Sequence, residues 1–243
     1  MTTISRPALR TLPRRLRDCR SGLALTEFAF ALPILLALGL YGFETANLAI
    51  GNLRVSNIAT LTADNAARVR GSIDEADVIH LLNGAKMTGT GIRFAANGRV
   101  IVSVLEPTSD GAAQWIRWQR CDGALNVTSS YGQPRTSAGA AITNGTEILA
   151  AGRVLPSSAP SAQSHSSARL GPVGPTGRQI MAQPGAAVML VEVTYNYQPV
   201  VGSWVFGPMQ LRFESAFNVR QRTDQSLKNA NRITPKSCNL FQA

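Results

Sequence analysis

The sequence predicts an α+β protein in which a long N-terminal helix, half of it suited to lipid and half amphipathic, packs on an antiparallel sheet. Three features carry that expectation. From Phe28 to Phe43 the chain reads FAFALPILLALGLYGF without a charge, and extending back to Leu23 adds only Glu27. A helical spacing of apolar residues continues past this run. Farther on, β-rich segments alternate apolar and polar residues, the strongest from Val188 to Tyr197.

Charge orients the first element. The 243 residues carry 24 Lys+Arg against 14 Asp+Glu, a net charge of +10. Six arginines (Arg6, Arg10, Arg14, Arg15, Arg17, Arg20) stand in the first 20 residues beside one acid, Asp18, and the next 33 residues contain no Lys or Arg. Half of the net charge therefore sits immediately before the apolar run, with Glu44 just after it. That is the positive-inside pattern, which leaves the C-terminal bulk outside the cytoplasm. From Leu23 onward the excess is only +5 over 221 residues, too thinly spread for a nucleic-acid surface. At 16% charged and 44% hydrophobic residues, wholesale disorder and a coiled-coil rod are also poor descriptions.

The 21 residues from Leu23 to Phe43 match the roughly 20 needed to cross a hydrocarbon core of about 30 Å. The run exceeds the apolar region of a secretory signal, and no small-x-small cleavage site follows before Glu44, so a retained anchor is expected. Pro33, inside the run, should kink the helix near 29–33. Gly39 and Gly42 would permit close helix approach. Glu27 has two readings. An acid in a membrane helix costs a few kcal/mol and marks function by default; alternatively it snorkels or complements the helix start. Cutting after Gly22 would make it the fifth residue of the shortened chain.

The stretch from Arg20 through Ser21-Gly22-Leu23-Ala24-Leu25-Thr26-Glu27-Phe28 to Leu32-Pro33-Ile34-Leu35-Leu36 resembles the amino terminus of TadE-like pseudopilins, minor pilin-like proteins of tight-adherence (Flp, type IVb) pilus systems. The resemblance covers about 40 residues, to Phe43-Glu44, and does not extend to the remaining 200. It implies a pilin-like fold and removal of a basic leader, residues 1–22, by a prepilin peptidase at Gly22–Leu23. It also implies assembly with other pilins or pseudopilins and inner-membrane pilus proteins, with Glu27 and Phe28 in the assembling region. The implied location is single-pass in the inner membrane, N-terminus cytoplasmic and residues 44–243 periplasmic, with incorporation into an extracellular pilus as an extension. A neighbour's new N-terminal ammonium would be a suitable counter-charge for Glu27 in a low dielectric.

Beyond the membrane run, Phe43, Ala46, Ile50, Leu53, Ile58 and Leu61 fall within one arc at 100° per residue, opposite Thr45, Asn52 and Ser56. They are expected to face the head domain along a helix ending before Gly71, within an extension over 44–70. Asn47, Asn57 and Asn65 mark a polar face. Asp74 to Leu82 reads as a helix capped by Asp74, Glu75 and Asp77. Ile92 to Leu105 reads as a hairpin turning at Asn97-Gly98, and Trp115 to Cys121 as a third strand, within 88–122. Residues 123–185 read as a flexible insertion, since 16 of the 22 residues from Pro156 to Gly177 are Ser, Pro, Gly or Ala. Met209 to Val219 supplies a last strand within the C-terminal part, 186–243. Cys19 belongs to the leader. Cys121 and Cys238 remain as an even pair on the oxidising side, either bridged, closing a loop of over a hundred residues, or two free thiols.

No catalytic constellation is present: His80 and His165 are the only histidines, and there is no CxxC, HExxH, GxSxG or Walker-type loop. No enzymatic activity, cofactor or metal is expected. Two functions from different classes remain, a processed minor pilin and an uncleaved signal-anchored periplasmic binding domain. The N-terminal residue of the membrane-purified protein separates them.

Overall fold

The structure, a computed structural model, describes residues 21–108, 111–135, 141–142, 148–149, 153–154, 170–204, 206–222 and 224–243. The arginine cluster and Cys19 of the leader, His165 and most of the Pro156–Gly177 stretch lie outside the described residues. Helix α1 (Ser21–Arg68) is continuous over 48 residues, about 70 Å at 1.5 Å per residue. After it come β1 (Ile73–Asp74) and α2 (Glu75–Thr88), a 3-10 turn (Thr90–Ile92) and the short α3 (Phe94–Asn97). Then follow β2 (Gly98–Pro107), β3 (Gln114–Asp122), β4 (Ile148–Leu149), β5 (Arg153–Val154), β6 (Val188–Asn196), β7 (Gln210–Asn218) and β8 (Leu227–Lys228). The main sheet is four-stranded and antiparallel in the order β3-β2-β6-β7. The α+β class read from the sequence is thus what the chain adopts.

Helix α1 lies on one face of this sheet against β6 and β7. Period-2 alternation decides which strand residues meet it. Val100, Val102 and Val104 of β2 join Met189, Val191, Val193 and Tyr195 of β6 in the core with Val55, Ile58, Ala59, Ala63, Ala66 and Ala67 of α1. Helix α2 closes the side through Val78, Leu82 and Ala85. Its N-terminus carries a full capping box: the Asp74 carboxylate accepts from the Ala76 N–H, and the Asp77 carboxylate accepts from the Asp74 N–H. Glu75 departs from the capping role expected of it. It is buried and ion-paired with buried Arg120 of β3.

Three other expectations are corrected. The amphipathic stripe faces the wrong way: Phe43, Ile50, Leu53 and Leu61 are about half or more exposed, and only Ile58 of the six is in the core. The packed face is instead marked by size, with Gly51 and four alanines where the helix approaches the sheet. A Cβ on Gly51 would already touch the Tyr197 ring at 3.5 Å. The hairpin at Ile92–Leu105 does not form, because residues before Gly98 are helical and β2 pairs with β3 and β6 instead. Phe94 explains this. Its ring is fully buried, and a Cβ on Gly89 or Gly98 would fall 2.3 Å from its atoms, so the two glycines close the chain around it. Parts of the 123–185 stretch are also built into the head rather than free of it. Residues 170–182 pack over the outer sheet face, where the Gln114 amide donates to the carbonyls of Gly171 and Ile180 and accepts the Ala182 N–H. Ser129 and the Ser130 N–H likewise bind the Glu192 carboxylate.

A disulfide joins Cys121 to Cys238, 117 residues apart. The tail it holds is also gripped by buried Arg99, which donates to the carbonyls of Cys238 and Leu240 and lies 4.2 Å from the Phe241 ring.

Phe94→Ala should lower head stability by about 3–5 kcal/mol, the usual cost of emptying a fully buried aromatic site. Denaturant unfolding of the detergent-solubilised chain, followed by the emission of buried Trp118, measures it.

Candidate functional site: the apolar helix and its junction with the head

The first half of α1 is bare. Leu23, Leu25, Phe28, Phe30, Ile34, Leu36, Leu38 and Phe43 all expose more than half of their surface. Such a helix is long and apolar enough to cross a membrane, and none of the residues in its most apolar window is buried. Monomeric soluble proteins rarely expose a continuous apolar stripe of this size. Through the lipid-length half the chain stays helical, the conformation in which most backbone groups pair within the segment, as a bilayer interior requires.

Gly22 and Leu23 lie at the start of the described part of α1. Among the described residues, no atom beyond its own helix neighbours lies within 4 Å of a Cβ built on Gly22. Glu27 and Phe28 are exposed one turn later. Glu27 is the seventh residue of the helix as described, whose first turn contains no acid. Pro33 sits inside the continuous helix. The structure does not bring these residues near Cys121 and Cys238, which belong to the head. Gly39 and Gly42 face open space.

The residue that the sequence reading passed over is Glu44, treated there only as a charged flank. It is fully buried, the first position beyond the apolar run. The Tyr197 hydroxyl donates to its carboxylate at 2.5 Å, and the N–H groups of Val200 and Val201 donate at 3.1 and 2.7 Å. Asn47, one turn along α1, donates to the Tyr197 oxygen at 2.7 Å. Burial pushes the Glu44 carboxyl up, but the Tyr197, Val201 and Val200 donors outweigh it and hold the pKa below the ordinary 4.5. The same contact works the other way on the tyrosine. Burial and the adjacent carboxylate push Tyr197 up to about 12, so it remains a donor. A cavity of about 170 Å³ opens beside this junction, lined by Asn47, Gly51, Arg93, Tyr195 and Tyr197 among others. The legible signal was positional: an acid ending an apolar run, and a tyrosine ending the strongest strand ahead of Gln-Pro-Val-Val-Gly.

The junction is mechanical rather than chemical. One carboxylate closes three donors from the β6–β7 connection onto the helix where its bare half ends. Among the described residues no group of three or more His, Cys, Asp or Glu is placed to hold a metal ion. Comparison with family models, with curated proteins and with solved structures found no match.

The sign of the pH effect follows from the direction of the Glu44 shift. A folded-state pKa below the unfolded one contributes stability that is complete above the unfolded pKa and is lost as pH falls through the folded one. Glu44→Gln should therefore cost about 1–3 kcal/mol at neutral pH, and the gap from wild type should close progressively below about pH 4.5. Thermal unfolding of both proteins in detergent across that range tests it.

Proposed function

We propose that this chain is a processed minor pilin, a pseudopilin resembling the TadE-like group, that acts in assembling a tight-adherence type IVb pilus at the inner membrane. The observation that carries the reading is the coincidence of two things in one helix. The Gly22-Leu23 and Glu27-Phe28 motif opens α1, and α1 leaves its first half bare while burying one face of its second half in an α+β head. An extracytoplasmic protein held only by an anchor needs no such continuity between anchor and core. The exposed outer stripe of Ile50, Leu53 and Leu61 supports the same reading, since it prolongs the apolar surface past the lipid length, where protein neighbours would cover it.

In this reading the arginine-rich leader orients the chain and is removed by a prepilin peptidase at Gly22–Leu23. The periplasmic head follows from Glu44 onward. Glu27 then serves docking, its carboxylate neutralised by the N-terminal ammonium of a neighbouring subunit. The partners are the peptidase, other pilins or pseudopilins, inner-membrane assembly proteins and lipid. The disulfide suits an oxidising compartment outside the cytoplasm.

Sequencing the N-terminus of the membrane-purified protein should give Leu23. An intact arginine-rich leader would instead establish the second reading, an uncleaved signal-anchored periplasmic domain. Glu27→Ala should be processed and stable yet fail to co-purify with sheared pili or with partner subunits. Unchanged assembly of that variant would remove the docking role.

A further inference from the structure

The connection between β6 and β7 has a composition and a position that the head fold does not explain. From Val193 to Leu211 the chain carries no charged side chain. Within this stretch Val200 is 63% exposed, Trp204 72% and Met209 38%, in a head whose other two tryptophans, Trp115 and Trp118, are buried. An indole left in water on a short loop forgoes the burial of a large apolar surface.

The position of the loop is fixed twice, both times at the end of the bare half of α1. The N–H groups of Val200 and Val201 donate to the Glu44 carboxylate. The Phe206 ring packs against Tyr41, in the last turn of the apolar run, with centroids 5.4 Å apart. Gly202 shapes the turn between them. Its φ of +140° suits glycine, and a Cβ there would fall 2.8 Å from Trp204 Cδ1, so any larger residue would displace the indole.

We infer that this loop is a second membrane-contacting element. Val200, Trp204, Phe206 and Met209 lie at headgroup level beside the point where α1 leaves the bilayer, with Trp204 as the anchor. The inference rests on the reading that the Leu23–Phe43 half of α1 spans a membrane. Tryptophan suits that depth because its ring is apolar while its N–H still reaches polar partners, and such rings concentrate at both membrane–water interfaces. A lipid surface is the occupant that the geometry favours. The patch is continuous with the apolar helix through the Tyr41–Phe206 contact, and the Val193–Leu211 stretch that carries it has no charged side chain. Two attachments, a helix and a loop held to it by Glu44, would fix the tilt of the head on the bilayer, where a helix alone leaves it free to rotate.

The test uses the full chain reconstituted in vesicles of phosphatidylcholine and phosphatidylglycerol, with Trp204→Phe as the reference that isolates the Trp204 signal. Lipids brominated near the headgroup should quench Trp204 emission strongly, lipids brominated near the bilayer centre less, and aqueous iodide least. Strong iodide quenching with none from brominated lipid would overturn the inference. So would protection from both, which would mean that protein covers the patch. Alkaline carbonate extraction on the same vesicles separates the two levels. A chain that resists extraction but shows no lipid quenching of Trp204 loses only the loop contact, whereas a chain that is extracted loses the membrane-spanning reading itself.

Discussion

The buried carboxylate of Glu44 is the constraint on which the arrangement of this molecule depends. One helix has to present an unbroken apolar surface over its first half and a close-packed face to a sheet over its second. The change of environment happens within a turn, at Glu44, an acid that is fully enclosed. A carboxylate placed there without donors would be expelled or neutralised. With Tyr197, Val200 and Val201 donating to it, it becomes a rivet. The rivet fixes the end of β6 against α1. Because β6 runs antiparallel to the helix and β7 returns alongside it, this also sets how the sheet is carried relative to the apolar half.

Farther along, sterics take over from polar bonding. Gly51, Ala59, Ala63, Ala66 and Ala67 let the sheet come close to the helix, and large side chains from β2 and β6 fill the space that their small size leaves. The larger apolar residues of the same helix turn outward. A close helix–sheet contact selects small residues on one partner for geometric reasons. Hydrophobicity alone therefore mislabels the packed side when the opposite side is apolar too.

That distinction explains what could be read from the sequence and what could not. Element type was legible where periodicity was strong and local: the apolar run, the capping residues of α2, and the strands at Trp115–Cys121, Val188–Tyr197 and Met209–Val219. The α+β class followed from those. The inward face of α1 was not legible, because both faces are apolar and only size separates them. The false hairpin at Asn97-Gly98 had the right turn residues, but Gly98 is needed there to admit the Phe94 ring, a contact made across the core. Glu44 was visible as a flanking charge but not as a buried one, since its donors come from about 150 residues away. The motif at Gly22–Phe28 is the reverse case: plain in sequence, yet its residues stand exposed from the head among the described residues.

The bridge between Cys121 and Cys238 gives the head a closed covalent topology. Everything from the end of β3 to the tail, including the Ser-, Pro-, Gly- and Ala-rich stretch and both strands that pack on α1, lies on a single ring of chain. A protease that cuts once inside this ring opens it without releasing a fragment. The nicked protein keeps its mass on a non-reducing gel and parts into two pieces only when the bond is reduced. That is tolerance of damage supplied by connectivity rather than by rigidity.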